Sequence, residues 1–282
     1  SASSRISDLM KMLVPSFFAL LLTASVSAPA LAQEAAPMLG AAKILRTVPA
    51  REATQGVAND PRFLYAIENS TIGKYDRRTG QRVGLWSGDR RVFIHINSCE
   101  TQGTELVCAM SNYPNVPMWS SVEWFDTKTM RHLRSHSFGP GRGSLTWIDW
   151  HDGSWWACFA NYDGDGGEAP RDHRSTLLVR MDPHFVTQEQ WLFPEDVLNS
   201  FGHPSASGGH WGQDGRLYVT GHDAPSLYVL ALPDAGGRLL HVGTYDLPTR
   251  GQAFDWDVIS SHHLWTIDRQ KMILVESTLP TQ

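Results

Sequence analysis

The stretch Ile72-Gly73-Lys74-Tyr75-Asp76, with Thr79-Gly80 just beyond it, decides how this chain reads, because the phrase returns. Val122-Glu123-Trp124-Phe125-Asp126 precedes Thr129, and Leu177-Leu178-Val179-Arg180-Met181 precedes Asp182. Leu227-Tyr228-Val229-Leu230-Ala231-Leu232 runs into Pro233-Asp234, and Met272-Ile273-Leu274-Val275 is a fifth copy. Each is an apolar strand, in four copies running into a turn at an Asp, a residue whose short carboxylate bonds its own backbone in turns. Asp76 and Asp126 stand 50 residues apart, and Asp126 and Asp182 stand 56 apart. These intervals lie near the ~40–50 residues of a four-stranded propeller blade.

Working outward, every copy has another strand before it: Phe63 to Ile67, Leu106 to Met110, Trp155 to Ala160, Leu217 to Thr220 and Leu264 to Ile267. Further upstream lie five innermost-strand candidates, Gln55 to Ala58, His95 to Ser98, Asp149 to His151, His210 to Gly212 and Asp255 to Val258. Only Pro194 to Phe201 reads as a short helix. The fifth repeat stops after three strands, and Lys43 to Val48 is predicted to supply the fourth, pairing with Met272 to Val275 and leaving no open edge between last and first blades. The chain is therefore predicted to be all-β, a single five-bladed β-propeller over residues 43–282 closed by an N-terminal strand. A β-sandwich would not account for five matching phrases.

Composition agrees. Of the 282 residues 41% are hydrophobic and 19% charged, a balance that builds a core rather than a disordered tail. A net charge of −5 argues against a nucleic-acid partner. Lys11, the apolar run Met12 to Ala24 and Ala30-Leu31-Ala32 are the parts of a secretory signal peptide, assigned to residues 1–32, with 33–42 a short linker. The run is too short for a ~20-residue membrane span. The mature protein is expected to be periplasmic or secreted from a bacterium, monomeric and free of the membrane. Export permits a disulfide between Cys99 and Cys108, which fall on neighbouring strands. Cys158 sits in an apolar run and reads as a small buried hydrophobe.

Ser111-Asn112-Tyr113-Pro114-Asn115-Val116-Pro117-Met118, Thr146-Trp147-Ile148-Asp149, Ser207-Gly208-Gly209-His210-Trp211-Gly212, Leu217-Tyr218-Val219-Thr220-Gly221-His222-Asp223-Ala224-Pro225 and Gly251-Gln252-Ala253-Phe254-Asp255-Trp256 carry a resemblance. Together they resemble exported bacterial five-bladed propeller proteins often labelled "cycloisomerase". More distantly, Thr54-Gln55-Gly56-Val57, Leu64-Tyr65 and Ile72 to Asp76 look like the first blade of the propeller-type glutaminyl cyclases, whose Asn-Glu-Leu-Glu stretch has no counterpart here. The resemblance implies the propeller fold and a small-molecule chemistry of the cyclisation or isomerisation type.

Candidate functional residues come from aligning the innermost strands, which puts Gln55, His95, Asp149, His210 and Asp255 at one level. Neighbours in a strand point to opposite faces, so these five are expected to line the channel. The second strands end in Asn69, Asn112, Asn161, His222-Asp223 and Arg269, expected above the ring because a hairpin brings those ends to the start of the inner strands. His95, His210, Asp149 and Asp255 are the catalytic candidates, His95 or His210 serving as a base oriented by an Asp. The same four suit a divalent metal ion. Gln55, Asn69, Asn112, Asn161, His222, Asp223 and Arg269 are the ligand-binding candidates. The acidic loop Asp163 to Glu168 lacks the spacing of a calcium-binding hand and reads as solvated. Two functions fit: an enzyme for lactone hydrolysis or for cyclisation/isomerisation of a small polar molecule, or a propeller that binds a ligand or protein without chemistry.

Overall fold

The computed structural model describes residues 35–280. The proposed signal peptide lies outside the described residues. Two strands lead, β1 (Met38–Ala41) and β2 (Lys43–Pro49). Blade one is β3 (Gly56–Asn59), β4 (Phe63–Glu68), β5 (Thr71–Asp76) and β6 (Arg82–Ser87). Blade two is β7 (His95–Gln102), β8 (Glu105–Ser111), β9 (Trp119–Asp126) and β10 (His132–Pro140). Blade three is β11 (Ser144–His151), β12 (Ser154–Ala160), β13 (Leu177–Met181) and β14 (Thr187–Leu192). A short helix α1 (Glu195–Phe201) then leads into blade four, β15 (Ala206–Trp211), β16 (Leu217–Gly221), β17 (Ser226–Ala231) and β18 (Leu240–Asp246). Blade five holds β19 (Asp255–Trp256), β20 (His263–Asp268) and β21 (Ile273–Thr278). The five small sheets form a ring, a five-bladed β-propeller.

The repeated Asp sets the turn between third and outer strands. Asp76 Oδ1 accepts from Thr79 N at 2.8 Å and Thr79 Oγ1 at 3.0 Å, and Asp126 does the same for Thr129. Asp182 Oδ1 accepts from the backbone of His184 and Val186.

The core is divided into wedges between adjacent blades. Along β12 Trp155, Ala157 and Phe159 face blade two, while Trp156 and Cys158 face blade four. Both faces of the strand are covered, so it reads as a continuous apolar run rather than an alternating one. Glycine is needed where wedges are tightest. A Cβ on Gly209 would stand 2.3 Å from the buried ring of Trp147. Cys99 and Cys108 face each other across β7 and β8 and form a disulfide, and Cys158 is a buried free thiol.

Closure follows the expected pairing, with β2 antiparallel to β21 from Lys43 opposite Thr278 to Pro49 opposite Ile273. The expected linker 33–42 does more than connect. Its β1 adds a fifth strand to blade four, parallel to β18, and Leu39 lies against Gly243. Four residues, one of them Gly40 with φ of 118°, are too few to show a period-2 pattern, which is why the segment did not read as strand.

Candidate functional site

Backbone register fixes which inner-strand residues share a level. Asp149, His210 and Asp255 pair with Trp156, Tyr218 and Trp265 of the next strand out. The corresponding residues of blades one and two are Ala58, opposite Tyr65, and Glu100, opposite Val107. The second-strand residues of this level all pack toward the following blade, which confirms the equivalence. The ring is thus Ala58, Glu100, Asp149, His210 and Asp255.

Three of the five residues expected at one level are therefore brought together, and Gln55 and His95 are not. His95 opens β7, five residues before Glu100, which at ~3.3 Å per strand residue puts it about 16 Å away along the channel. The reason is strand length. β11 and β15 begin at Ser144 and Ala206, so Asp149 and His210 stand near their ends rather than their starts. Small residues such as Ser207-Gly208-Gly209 do not look like strand, and the inner strands were predicted too short. The expected second set, Asn69 to Arg269, accordingly lies at the opposite mouth from His210.

The ring is a continuous network. His210 Nδ1 lies 3.0 Å from Asp149 Oδ1, and Asp149 Oδ2 accepts from Trp211 N at 2.9 Å. The Glu100 carboxyl stands beside that of Asp149, within 4.8 Å, and accepts from Trp150 N at 3.2 Å and Gln102 Nε2 at 2.8 Å. Asp255 Oδ2 accepts from Asn59 N at 2.9 Å and Asn59 Nδ2 at 2.7 Å, leaving Oδ1 3.9 Å from His210 Nε2. Asn59 is itself held, its Oδ1 accepting from Arg77, whose Nη1 pairs with Asp257 at 2.5 Å. Glu100, Asp149, His210 and Asp255 are all under 9% exposed, so water screens these charges little.

Burial and neighbours push the four ionisations apart. Desolvation, then the charge of Asp149, raises Glu100 well above the usual carboxylate range and keeps it protonated. Asp149 feels the same burial, but the His210 imidazolium and hydrogen bonds from His210, Glu100 and Trp211 hold it below its ordinary value. Burial opposes charge on His210 too, yet Asp149, with Asp255 and the Phe254 carbonyl, raises it to about 9. Desolvation lifts Asp255 to about 6 despite His210 and Asn59. All four line a cavity of about 700 Å³ that also takes in Trp211, Tyr218, Trp256 and Ser260. One carboxylate titrating just below neutrality, beside a fixed cation and a neutral acid, is a set suited to general acid–base chemistry.

A metal could be held here as well. Glu100, Asp149 and His210 offer ligand atoms within 4.8 Å of one another. His95, proposed as a fourth ligand, is too far away to join them.

At the other mouth His95 Nδ1 lies 2.7 Å from Asn69 Oδ1, with the Tyr113 ring 5.1 Å away. Arg269 Nη1 meets His222 Nε2 at 2.8 Å, and Asp223 lies beside His222. Gln55 sits just before β3, where its carbonyl accepts from Ala253 N. Asn112 and Asn161 have other work. Asn112 bonds Pro117 O and Trp119 N, and Asn161 bonds Ser175 O and Thr176, so each staples a long loop to its own blade. In the acidic loop, Asp163 is engaged by His173 and His203, both at 2.8 Å.

Sequence reasoning missed Glu100, Asn59 and the Arg77–Asp257 pair. Counting back from the hairpin turn finds the first: Glu100 precedes Gly103 by three residues, as Asp149 precedes Gly153 by four. Nothing in the sequence marks Arg77, whose partner lies 180 residues away.

No family model and no curated protein sequence matches this chain. Among solved structures, a luciferin-regenerating enzyme is similar at 10% identity and TM-score 0.49, over 83% of this chain and 95% of that one. Virginiamycin B lyase from Staphylococcus aureus is similar at 8% identity and TM-score 0.48, over 83% and 99%. A chain of the mitotic checkpoint complex is similar at 11% identity and TM-score 0.47, over 94% and 100%. At these scores the likenesses carry no argument about function, and the reading of this chain rests on its own residues.

Proposed function

We propose that this chain is an exported, monomeric propeller that binds a small polar molecule in the cavity beneath Glu100, Asp149, His210 and Asp255 and acts on it by acid–base catalysis. The observation that carries the reading is the separation of ionisations within one buried network that lines a cavity. Asp255 is the base: its Oδ2 is fixed by Asn59, its Oδ1 accepts no bond from Asn59, and at pH 7 it is mostly ionised. His210, oriented by Asp149, supplies positive charge where an oxyanion develops. Protonated Glu100 keeps Asp149 from facing a second charge. In lactone hydrolysis Asp255 takes a proton from the attacking water, and the ring-opened alkoxide takes it back. In isomerisation the same carboxylate removes a carbon-bound proton and returns it elsewhere. The resemblance to propeller proteins labelled "cycloisomerase" supports the second variant.

The test is a panel of small lactones, followed by proton release for hydrolysis and by NMR for isomerisation, with wild type, Asp255→Asn and His210→Gln. Activity confined to wild type and rising with pH through about 6, as Asp255 ionises, is expected. Activity undiminished in Asp255→Asn would remove the proposal.

A second reading is supported by the ligand geometry of Glu100, Asp149 and His210: a divalent cation held by these three, displacing the protons of Glu100 and His210. Such an ion would polarise a bound carbonyl. Calorimetric titration with zinc, manganese and calcium, with release of protons on binding, distinguishes it from the metal-free site. A non-catalytic ligand-binding role is the outcome in which the cavity takes a ligand and no member of the panel turns over.

A further inference from the structure

The channel mouth opposite the acidic ring carries a guanidinium where the ring carries carboxylates. Arg269, at the end of blade five's second strand, has no carboxylate partner among the described residues; its guanidinium meets only His222 Nε2, at 2.8 Å. That contact makes Nε2 the acceptor and puts the His222 proton on Nδ1. Asp223 Oδ1 lies 3.0 Å from Nδ1, yet no directed hydrogen bond forms. Asp223 is 56% exposed on its side chain and is shared with Arg250 at 3.8 Å, so it does not neutralise Arg269. Across the mouth stands His95, fixed by Asn69 at 2.7 Å and flanked by Tyr113. His95 is partly open to the channel but otherwise surrounded by protein. Its desolvation, opposed by a side-chain hydrogen bond with Asn97 and aided by the Arg269 charge, lowers it to about 4 and leaves it neutral. Acidic groups near this mouth include Asp223, Asp165, which acts on Tyr113, Glu68, which precedes Asn69 and lies 4.0 Å from Arg90, and Asp268, which precedes Arg269 and pairs with Lys271 at 2.8 Å.

We propose that Arg269, His222, His95 and Asn69 form a second site, separate from the acidic ring, that binds the carboxylate of a small organic anion. A guanidinium without an acid beside it is a planar fork suited to two carboxylate oxygens. Neutral His95, held at Nδ1 by Asn69 and also engaged by the Asn97 side chain, presents its half-open ring edge to a substituent on the anion. Aromatic Tyr113 gives such an anion a face to lie on. The site is independent of whether the ring catalyses anything.

The experiment is NMR of protein labelled with nitrogen-15 at histidine, titrated with acetate and then with glycolate, with inorganic phosphate and chloride as controls. The expected result is saturable movement of the His222 and His95 ring signals with acetate, none at His210, and tighter binding of glycolate, whose hydroxyl reaches His95. Arg269→Gln should weaken acetate at least tenfold, and Arg269→Lys should recover part of the loss by restoring charge without the fork. His210 and His241 signals unchanged in both variants verify the fold. Acetate shifts that survive Arg269→Gln intact, or phosphate binding where acetate does not, overturn the carboxylate assignment. Movement of His210 alone overturns the site while leaving the proposed acid–base function standing.

Discussion

Raising the pH from 6.5 to 9 should unload His210 as a source of stability, and the structure says by how much. Free imidazole titrates near 6.5, whereas Asp149 at 3.0 Å and Asp255 at 3.9 Å raise His210 to about 9. Below 6.5 the ring is protonated both folded and unfolded, and the ion pair contributes in full. Between 6.5 and 9 the unfolded chain has lost the proton while the folded one retains it, so stability falls as pH rises, and above 9 the contribution is gone. The interval is worth about 3 kcal/mol at ~1.4 kcal/mol per decade. No discount for solvent applies, since the side chain is 6% exposed. Urea unfolding at half-unit pH steps, for wild type and His210→Gln, isolates this group, because exposed histidines cancel in the difference. The difference curve should drop by about 3 kcal/mol across the window. A flat difference curve, or a His210 resonance titrating at 6.5 or below, would refute the charged Asp149–His210–Asp255 arrangement.

Other expectations follow from neighbouring contacts. Asp255 and Glu100 are raised carboxyls, so their contribution is full at low pH and disappears as pH rises from their ordinary values, for Asp255 through about 6; Asp255→Asn should flatten the pH 4–6 part of the urea-stability curve. Replacing Cys99 and Cys108 together by Ser removes a bridge nine residues apart in sequence and should cost about 2–3 kcal/mol by chain-entropy reasoning, measured by urea unfolding. Arg77→Ala strands the buried Asp257 carboxylate and should cost about 3–5 kcal/mol in the same assay. Gly209→Ala forces a methyl against Trp147 and should cost about 1–3 kcal/mol, with a change in tryptophan fluorescence.

The blades were legible because their signal is local. An apolar strand and an Asp–Thr turn are written within a few residues, and Thr79 bonds Asp76 across the same short interval. Closure by Lys43 to Val48 was legible for a different reason: the fifth repeat is one strand short, and only one unassigned apolar segment remained. Strand β1 was not, because it joins blade four in parallel through four residues of mixed character. The level of each inner residue was harder still. Several polar residues lie along the same inner strand, so His95 and Glu100 compete for the same place, and only the pairing Glu100 to Val107 decides.

The mistaken alignment has a physical lesson about this channel. Aligning the inner strands by their first polar residues merges its two ends into one site, with His95 and Arg269 next to Asp149 and Asp255. Such a site would mix cations and carboxylates, and its groups would neutralise each other. Separation along the strands gives the two ends different characters: Glu100, Asp149 and Asp255 surround one imidazolium at one mouth, while Arg269, unpaired with any carboxylate among the described residues, stands with His222 and His95 at the other. Opposed histidine titrations follow directly. His210 is raised to about 9 by carboxylates, and His95 is lowered to about 4 by burial beside cations. At pH 6.5 one ring is charged and the other neutral, although both line the same channel. On the proposed carboxylate site, that difference favours approach of a small organic anion at the Arg269 end over the acidic ring.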